Sequence, residues 1–150
     1  MSKAEIINEL KLSVPSYSVN EGVSRAMISA FCALLNPTVE ELADLRCAVS
    51  EAVTNSIVHG YRNTIGTVFI TVRLYSDRTV KIEIKDKGCG ILDVEEAIKP
   101  LFTTDPAGER SGMGFTVMEN FTDGIIVRSA VGKGTKVTLK KRLSKLPQKY

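Results

Sequence analysis

Between Val68 and Ile84 the aliphatic residues fall on every second position and are interrupted once. Val68, Ile70, Val72 and Leu74 form one run, Val80, Ile82 and Ile84 the next, and Ser76-Asp77-Arg78 separates them. A period of two places one set of side chains on one face of a sheet, and a short polar break between two such runs predicts a β-hairpin. A hairpin with one apolar face needs more strands or a helical cover to be stable in water. The sequence before it supplies the cover. A helix is expected from about Ser18 to Leu35, where Val19, Val23, Ala26, Met27, Ala30, Phe31 and Leu34 recur at helical spacing and should form its buried face. Ser18, Glu21, Arg25 and Ser29 lie opposite. Asn36-Pro37 breaks this helix, and Thr38-Val39-Glu40-Glu41 is a capping box that opens another. The second helix is expected to end near His59-Gly60, with Gly60 as its C-cap and Leu42, Leu45, Val49, Ala52, Val53 and Ser56 facing inward.

The remaining elements follow the same logic. Leu10, Leu12 and Val14 alternate with polar residues as a first strand. Asp93 can cap a short helix that Pro100 stops. A Thr-, Gly-, Asp- and Pro-rich loop covers Leu101 to Gly114, and a further short helix runs from about Phe115 to Phe121. Asp123-Gly124 turns the chain into a last hairpin, Ile125–Ala130 against Thr135–Lys140. Helices first and strands with inserted helices afterwards make an α+β two-layer sandwich, with a mixed, largely antiparallel sheet covered by helices on one face.

The 150 residues fit one domain, and no linker, repeat or low-complexity stretch divides them. Charge narrows the partners. Lys140, Lys141, Arg142, Lys145 and Lys149 crowd the end of the chain, and residues 141–150 read as a basic, solvated tail. Without those five, 15 basic residues stand against 17 acidic, a balance of −2. A chain that gripped a phosphate backbone would need a basic surface, so no direct nucleic-acid role is expected. Cys32, Cys47 and Cys89 are odd in number and lack metal-ligand spacing, which fits a reducing compartment. The N-terminus has no signal-like apolar run, and nothing approaches the roughly 18 apolar residues of a membrane span. The expectation is a cytoplasmic chain without membrane attachment.

Four short motifs carry chemistry. Glu51 and Asn55 are four residues apart, so a helix sets a carboxylate and a carboxamide on one face, at the flank of the apolar stripe. Such a pair can hold magnesium and orient a hydroxyl, although alone it is as well explained as a polar flank. Asp86-Lys87-Gly88-Cys89-Gly90 ends a strand, where a carboxylate can accept from an exocyclic amine while Gly88 and Gly90 admit a ligand close to the backbone. Gly112-Met113-Gly114 precedes a helix, whose first amides can cradle phosphate, with Arg110 and Ser111 just before it. Gly134-Thr135 opens the final strand. Each of these alone is equally a turn or a cap, and no Walker-type phosphate loop is present.

In this order and spacing, Glu51xxxAsn55, Asp86xGly88xGly90, Gly112xGly114 and Gly134-Thr135 resemble the nucleotide boxes of the GHKL superfamily, which includes gyrase-type ATPases and histidine-kinase catalytic domains. The stretches Ser50–Asn55 with His59-Gly60-Tyr61, Pro100–Thr104, and Glu109–Phe115 with Met118–Phe121 are similar to the anti-sigma-factor serine kinases of spore-forming bacteria. The resemblance implies a Bergerat ATP-binding fold, ATP or ADP with Mg2+ as cofactors, and a homodimer. It implies a sporulation sigma factor of the sigma F type as the inhibited partner and an anti-anti-sigma factor as the protein phosphorylated on serine. By analogy Glu51 is the general base, Asn55 holds the metal, and Asp86 binds the adenine amino group beside Gly88, Gly90 and Thr135. Residues 103–114 form a lid, beginning with Thr103 and Thr104, in which Ser111, Gly112, Met113 and Gly114 contact phosphates and Arg110 reaches the γ-phosphate. Arg25 on the first helix would grip acidic groups of the partners. His59, the one histidine, lies on the helix that bears Glu51 and Asn55 and suits a structural hydrogen bond better than a phosphoacceptor role. The resemblance leaves two other readings open, a clamp ATPase and a nucleotide-gated binding module. Clamp ATPases carry a further transducer domain, and pure binding has no use for Glu51.

Overall fold

The computed structural model describes residues 3–99 and 114–146. Five strands form one sheet: β1 (Ile6–Pro15), β2 (Thr67–Tyr75), β3 (Thr79–Asp86), β4 (Gly124–Ala130) and β5 (Gly134–Arg142), in the order β1-β2-β3-β5-β4. Helices α1 (Val19–Cys32), α2 (Val39–Thr54), α3 (Val94–Ile98) and α4 (Gly114–Phe121) accompany it. The hairpin expected around Ser76-Asp77-Arg78 is β2–β3, with Val72 opposite Ile82 and Ile70 opposite Ile84. The sheet is not mixed. All four neighbouring pairs are antiparallel, because β5 is inserted between β3 and β4 and so separates the two strands that run the same way.

The core lies between the inner face of the sheet and α2. Val68, Ile70, Val72, Leu74, Val80, Ile82 and Ile84 meet Leu45, Val49, Ala52 and Val53, all buried. Each of these Val, Leu and Ile side chains contributes about 1.5–3 kcal/mol by leaving water. The α2 capping box forms as expected: Thr38 Oγ1 accepts from the Glu41 amide at 3.0 Å and Glu41 Oε1 accepts from the Thr38 amide at 2.9 Å. The far end of α2 differs from expectation. The helix widens into a π turn, Asn55–Gly60, and Gly60 is not a left-handed C-cap.

The inward face expected for α1 is corrected. Val19 is 74% exposed, Leu34 is 61% exposed, and Val23, Ala26, Met27 and Ala30 also face out. The buried line is Ser24, Ile28 and Cys32, continued by Leu35 in a 3-10 turn, with Phe31 packed beside the core. The small residues Ser24 and Cys32 on either side of Ile28 suit a helix that lies against α2 and β1. The Cys32 thiol is pushed up to about 12 by burial and is inert as a nucleophile.

The basic end of the chain is also corrected. Lys140, Lys141 and Arg142 belong to β5, and Leu143 is buried. Ser144 then donates its amide to Glu41 Oε2 at 2.7 Å, and Arg78 donates to the carbonyls of Leu35 and Ser144. The strand continues because the alternation Val137, Leu139, Lys141, Leu143 keeps one side against the core. The sheet's other face carries no helix among the described residues. There Lys85, Lys136 and Arg128 stand abreast on β3, β5 and β4, and Lys81 stands opposite Lys140. The near-even overall balance hides this sorting of cations onto one face.

Candidate functional site

The boxes converge where α2, the ends of β3 and β5 and the start of α4 meet. Glu51 sits in the last turn of α2, and Asn55 is the first residue of the π turn. Gly114, the first residue of α4, passes so close that a Cβ there would lie 3.1 Å from Glu51 Oε2 and 3.4 Å from both amide atoms of Asn55. One wall of the site thus brings together a carboxylate, a carboxamide and a helix start without a side chain. Thr103, Thr104, Arg110, Ser111, Gly112 and Met113 lie outside the described residues.

The other wall is the end of β3. Asp86 is 3% exposed, opposite Thr135 on β5. Burial raises its pKa, against hydrogen bonds from the Gly88 amide at 2.9 Å, the Ser56 side chain and the Thr135 backbone. An ionised Asp86 is therefore a cost to the fold, because the native state holds its proton to higher pH than the unfolded chain does. A ligand that donates a hydrogen bond to it relieves that cost. Gly90, at φ +75°, runs against the Ala130 carbonyl, and the Ile91 amide donates to Ser129 Oγ at 2.7 Å. Ser129 Oγ lies 2.8 Å from Thr135 Oγ1, so the segment after Gly90 is fastened to the β4–β5 hairpin, whose Thr135 stands opposite Asp86 on β3.

Arg25 is placed on α1, beyond this site. Its guanidinium is half-exposed and pairs with Glu21 at 3.4 Å, and the same Glu21 oxygen accepts from Ser50 Oγ at 2.5 Å. Ser50 immediately precedes Glu51, so a polar chain leads from the surface of α1 to the helix that carries the carboxylate. His59 lies in the π turn, where its carbonyl accepts from the Cys89 thiol at 3.1 Å.

Sequence spacing sets Ser56 on the inward face of α2 and assigns no site role to Tyr61, Ser56 or Ser129, though all three hold the Asp86 wall in place. Their one signal in the sequence is a hydroxyl at a position that should pack. Among the described residues no three His, Cys, Asp or Glu side chains cluster as a metal site. A magnesium ion bound largely through a ligand's phosphates needs only one or two protein oxygens. The Asn55 carboxamide beside Glu51, with Gly114 leaving the space open, fits that requirement.

The model for the histidine kinase-like ATPase domain matches residues 18–141. The anti-sigma F factor of a Geobacillus species is 52% identical over 139 residues, covering 92% of this chain and 94% of that protein. The anti-sigma F factor of Clostridium acetobutylicum is 48% identical over 137 residues, covering 91% and 95%. The structure of the RsbU and RsbW domains of a Mycobacterium tuberculosis protein superposes with a TM-score of 0.68 at 20% identity, over 93% of this chain and 33% of that one. The chain therefore belongs to the histidine kinase-like ATPase family and, within it, to the anti-sigma F factors. It is an anti-sigma factor with a nucleotide-binding domain of the kinase-like type.

Proposed function

We propose that the chain binds and inhibits a sigma factor of the sigma F type and uses ATP to phosphorylate a serine of an anti-anti-sigma factor. What carries the reading is the meeting of Glu51, Asn55 and Gly114 at one wall with the buried Asp86 at the other. The two walls suit the two ends of an adenine nucleotide, and Glu51 is left beside the phosphate end with an oxygen turned toward the start of α4.

In this reading Asp86 accepts from the adenine amino group. Asn55 holds Mg2+, which when bound neutralises phosphate charge. Glu51 takes the proton of the serine hydroxyl as its oxygen bonds to the γ-phosphorus and the bond from that phosphorus to the bridging oxygen of ADP breaks. Most of the remaining acceleration comes from positioning and charge neutralisation. The lid residues Thr103, Thr104, Arg110, Ser111, Gly112 and Met113 complete the phosphate end. Arg25 offers a planar multi-donor group to partner carboxylates, and the outward apolar residues of α1 give a homodimer a surface to bury. The compartment is the cytoplasm.

Incubating the protein with γ-labelled ATP, magnesium and candidate partners tests this. Label on a serine of the anti-anti-sigma factor is the expected result. Free phosphate alone would make the chain an ATPase, and no turnover with retained nucleotide binding would make it a nucleotide-gated binding module.

A further inference from the structure

Among the side chains that join the two walls of the site, one belongs to none of the nucleotide boxes and replaces a missing rung of the sheet. Pairing between β2 and β3 stops at Phe69 opposite Lys85, and continuing the register would set Thr67 opposite Lys87. That rung is replaced. The Tyr61 hydroxyl accepts from the Lys87 amide at 2.8 Å and donates to the Thr67 carbonyl at 2.5 Å. The ring is 8% exposed, and Gly66 passes over it so closely that a Cβ there would lie 2.1 Å from a ring carbon. The Lys87 side chain turns away, its ammonium 5.3 Å from the centre of the Phe69 ring, and only its backbone faces the site.

Tyr61 directly follows the π turn, and its amide closes that turn on the Ser56 carbonyl at 3.0 Å. π turns inside helices recur at functional sites, and this one begins at Asn55 and ends against Asp86. Ser56 contributes a side-chain hydrogen bond to Asp86, and the Gly60 carbonyl accepts from the Cys89 amide at 2.8 Å. No side chain fits between these segments: a Cβ on Gly60 would lie 2.8 Å from the Asp86 carboxylate, and one on Gly88 would lie 2.1 Å from the Gly60 carbonyl oxygen. The helix end and the loop after β3 therefore move as one piece. The Tyr61 hydroxyl fixes the backbone next to Asp86, while the amide of the same residue fixes the turn that starts at Asn55.

We propose that Tyr61 is a positioning residue that holds Asp86 in register with Asn55 and so sets the protein's preference for adenine over guanine nucleotides. This rests on the reading of Asp86 as the group that meets the base. A carboxylate discriminates an amino group from a carbonyl only if it is held at hydrogen-bond distance, and losing that alignment costs on the scale of one hydrogen bond. Removing the hydroxyl also strands the Lys87 amide and the Thr67 carbonyl, so the strand end must shift to find other partners.

The test is titration of wild type and Tyr61→Phe with ADP and GDP. The expected result is an ADP affinity lower by about three- to tenfold with GDP affinity little changed, so that the ratio falls by the same factor. A lower melting point with an unchanged ratio would overturn the proposal and leave Tyr61 a packing residue. Should Tyr61→Phe not fold, amide exchange in the wild type decides: ADP, but not GDP, should slow the Lys87 amide more than that of Thr79 at the other end of β3. Equal slowing, or none, at Lys87 overturns the proposal. Wild type that binds ADP and GDP equally would instead refute Asp86 as the base reader, and wild type that binds neither would refute the nucleotide site itself.

Discussion

Helices α1 and α2 lie on the same side of one sheet and are of similar length, yet they stand in opposite relations to it. α2 turns its apolar stripe inward and carries Glu51 at its end. α1 turns most of its apolar residues outward and rests on the narrow line Ser24, Ile28 and Cys32. Periodicity identifies a helix and its stripe, but it does not say which surface the stripe meets. For α2 that surface is the core of its own chain. For α1 the stripe is available to something else, and the side that packs inward is a narrow line in which Ile28 is flanked by the small residues Ser24 and Cys32.

The greatest expected effect sharpens what α2 is for. Glu51→Ala should lower phosphotransfer by about 10²–10⁴-fold while leaving ATP affinity within a few-fold, since a base acts in the transition state; single-turnover transfer and nucleotide titration read the two. Transfer at the wild-type rate would remove Glu51 from the mechanism. Next, Leu45→Ala on α2 should cost about 2–5 kcal/mol in denaturant unfolding, as buried leucines do. Leu34→Ala, in the 3-10 turn that continues α1, should stay within about 0.5 kcal/mol at low protein concentration. If Leu34→Ala becomes costly only as concentration rises, the outward face is covered by a second copy; if it is costly at every concentration, the contrast between the helices is broken.

Arg25→Glu probes the surface that α1 presents. A loss of at least about 2 kcal/mol in sigma-factor binding is expected, the scale of an interface hot spot, with ATP affinity intact because Arg25 lies outside every nucleotide box. Unchanged sigma affinity would take Arg25 out of the interface. The smallest effect compares the helix starts. Thr38 forms a full capping box, whereas Ser18 makes no side-chain cap bond. Thr38→Ala should lower stability by about 1 kcal/mol, and Ser18→Ala should leave the unfolding midpoint where it was.

Much of this molecule is legible in its sequence, and the failures share a cause. The β2–β3 hairpin and the Thr38 capping box depend on local spacing, and each lies where spacing places it; of the boxes, Glu51, Asn55, Asp86, Gly114 and Thr135 come together, while Gly112 and Met113 lie outside the described residues. The orientation of α1 depends on which neighbour packs against it, and Ser24 and Cys32 are too small and too polar to advertise a buried face. The π turn is a register change within a helix that has no marked sequence signature between Asn55 and Gly60. Gly60 was read as a cap because glycine often ends helices, whereas here its lack of a Cβ makes room for Asp86. The reach of β5 was hidden by the charges of Lys140, Lys141 and Arg142, which look like a tail until the alternate residues are seen to face the core.

The cation row on the open face bears on how copies of the protein can meet. Lys85, Lys136 and Arg128 stand abreast, and neighbouring like charges in a sheet work against folding. The same arrangement forbids one geometry of assembly. Two molecules approaching sheet to sheet would set row against row, and their repulsion would grow as water was squeezed from between them. Flat exposed sheets invite stacking, and this one is guarded against it by its own charge. The helical side, where the apolar residues of α1 face out, carries no such row among the described residues.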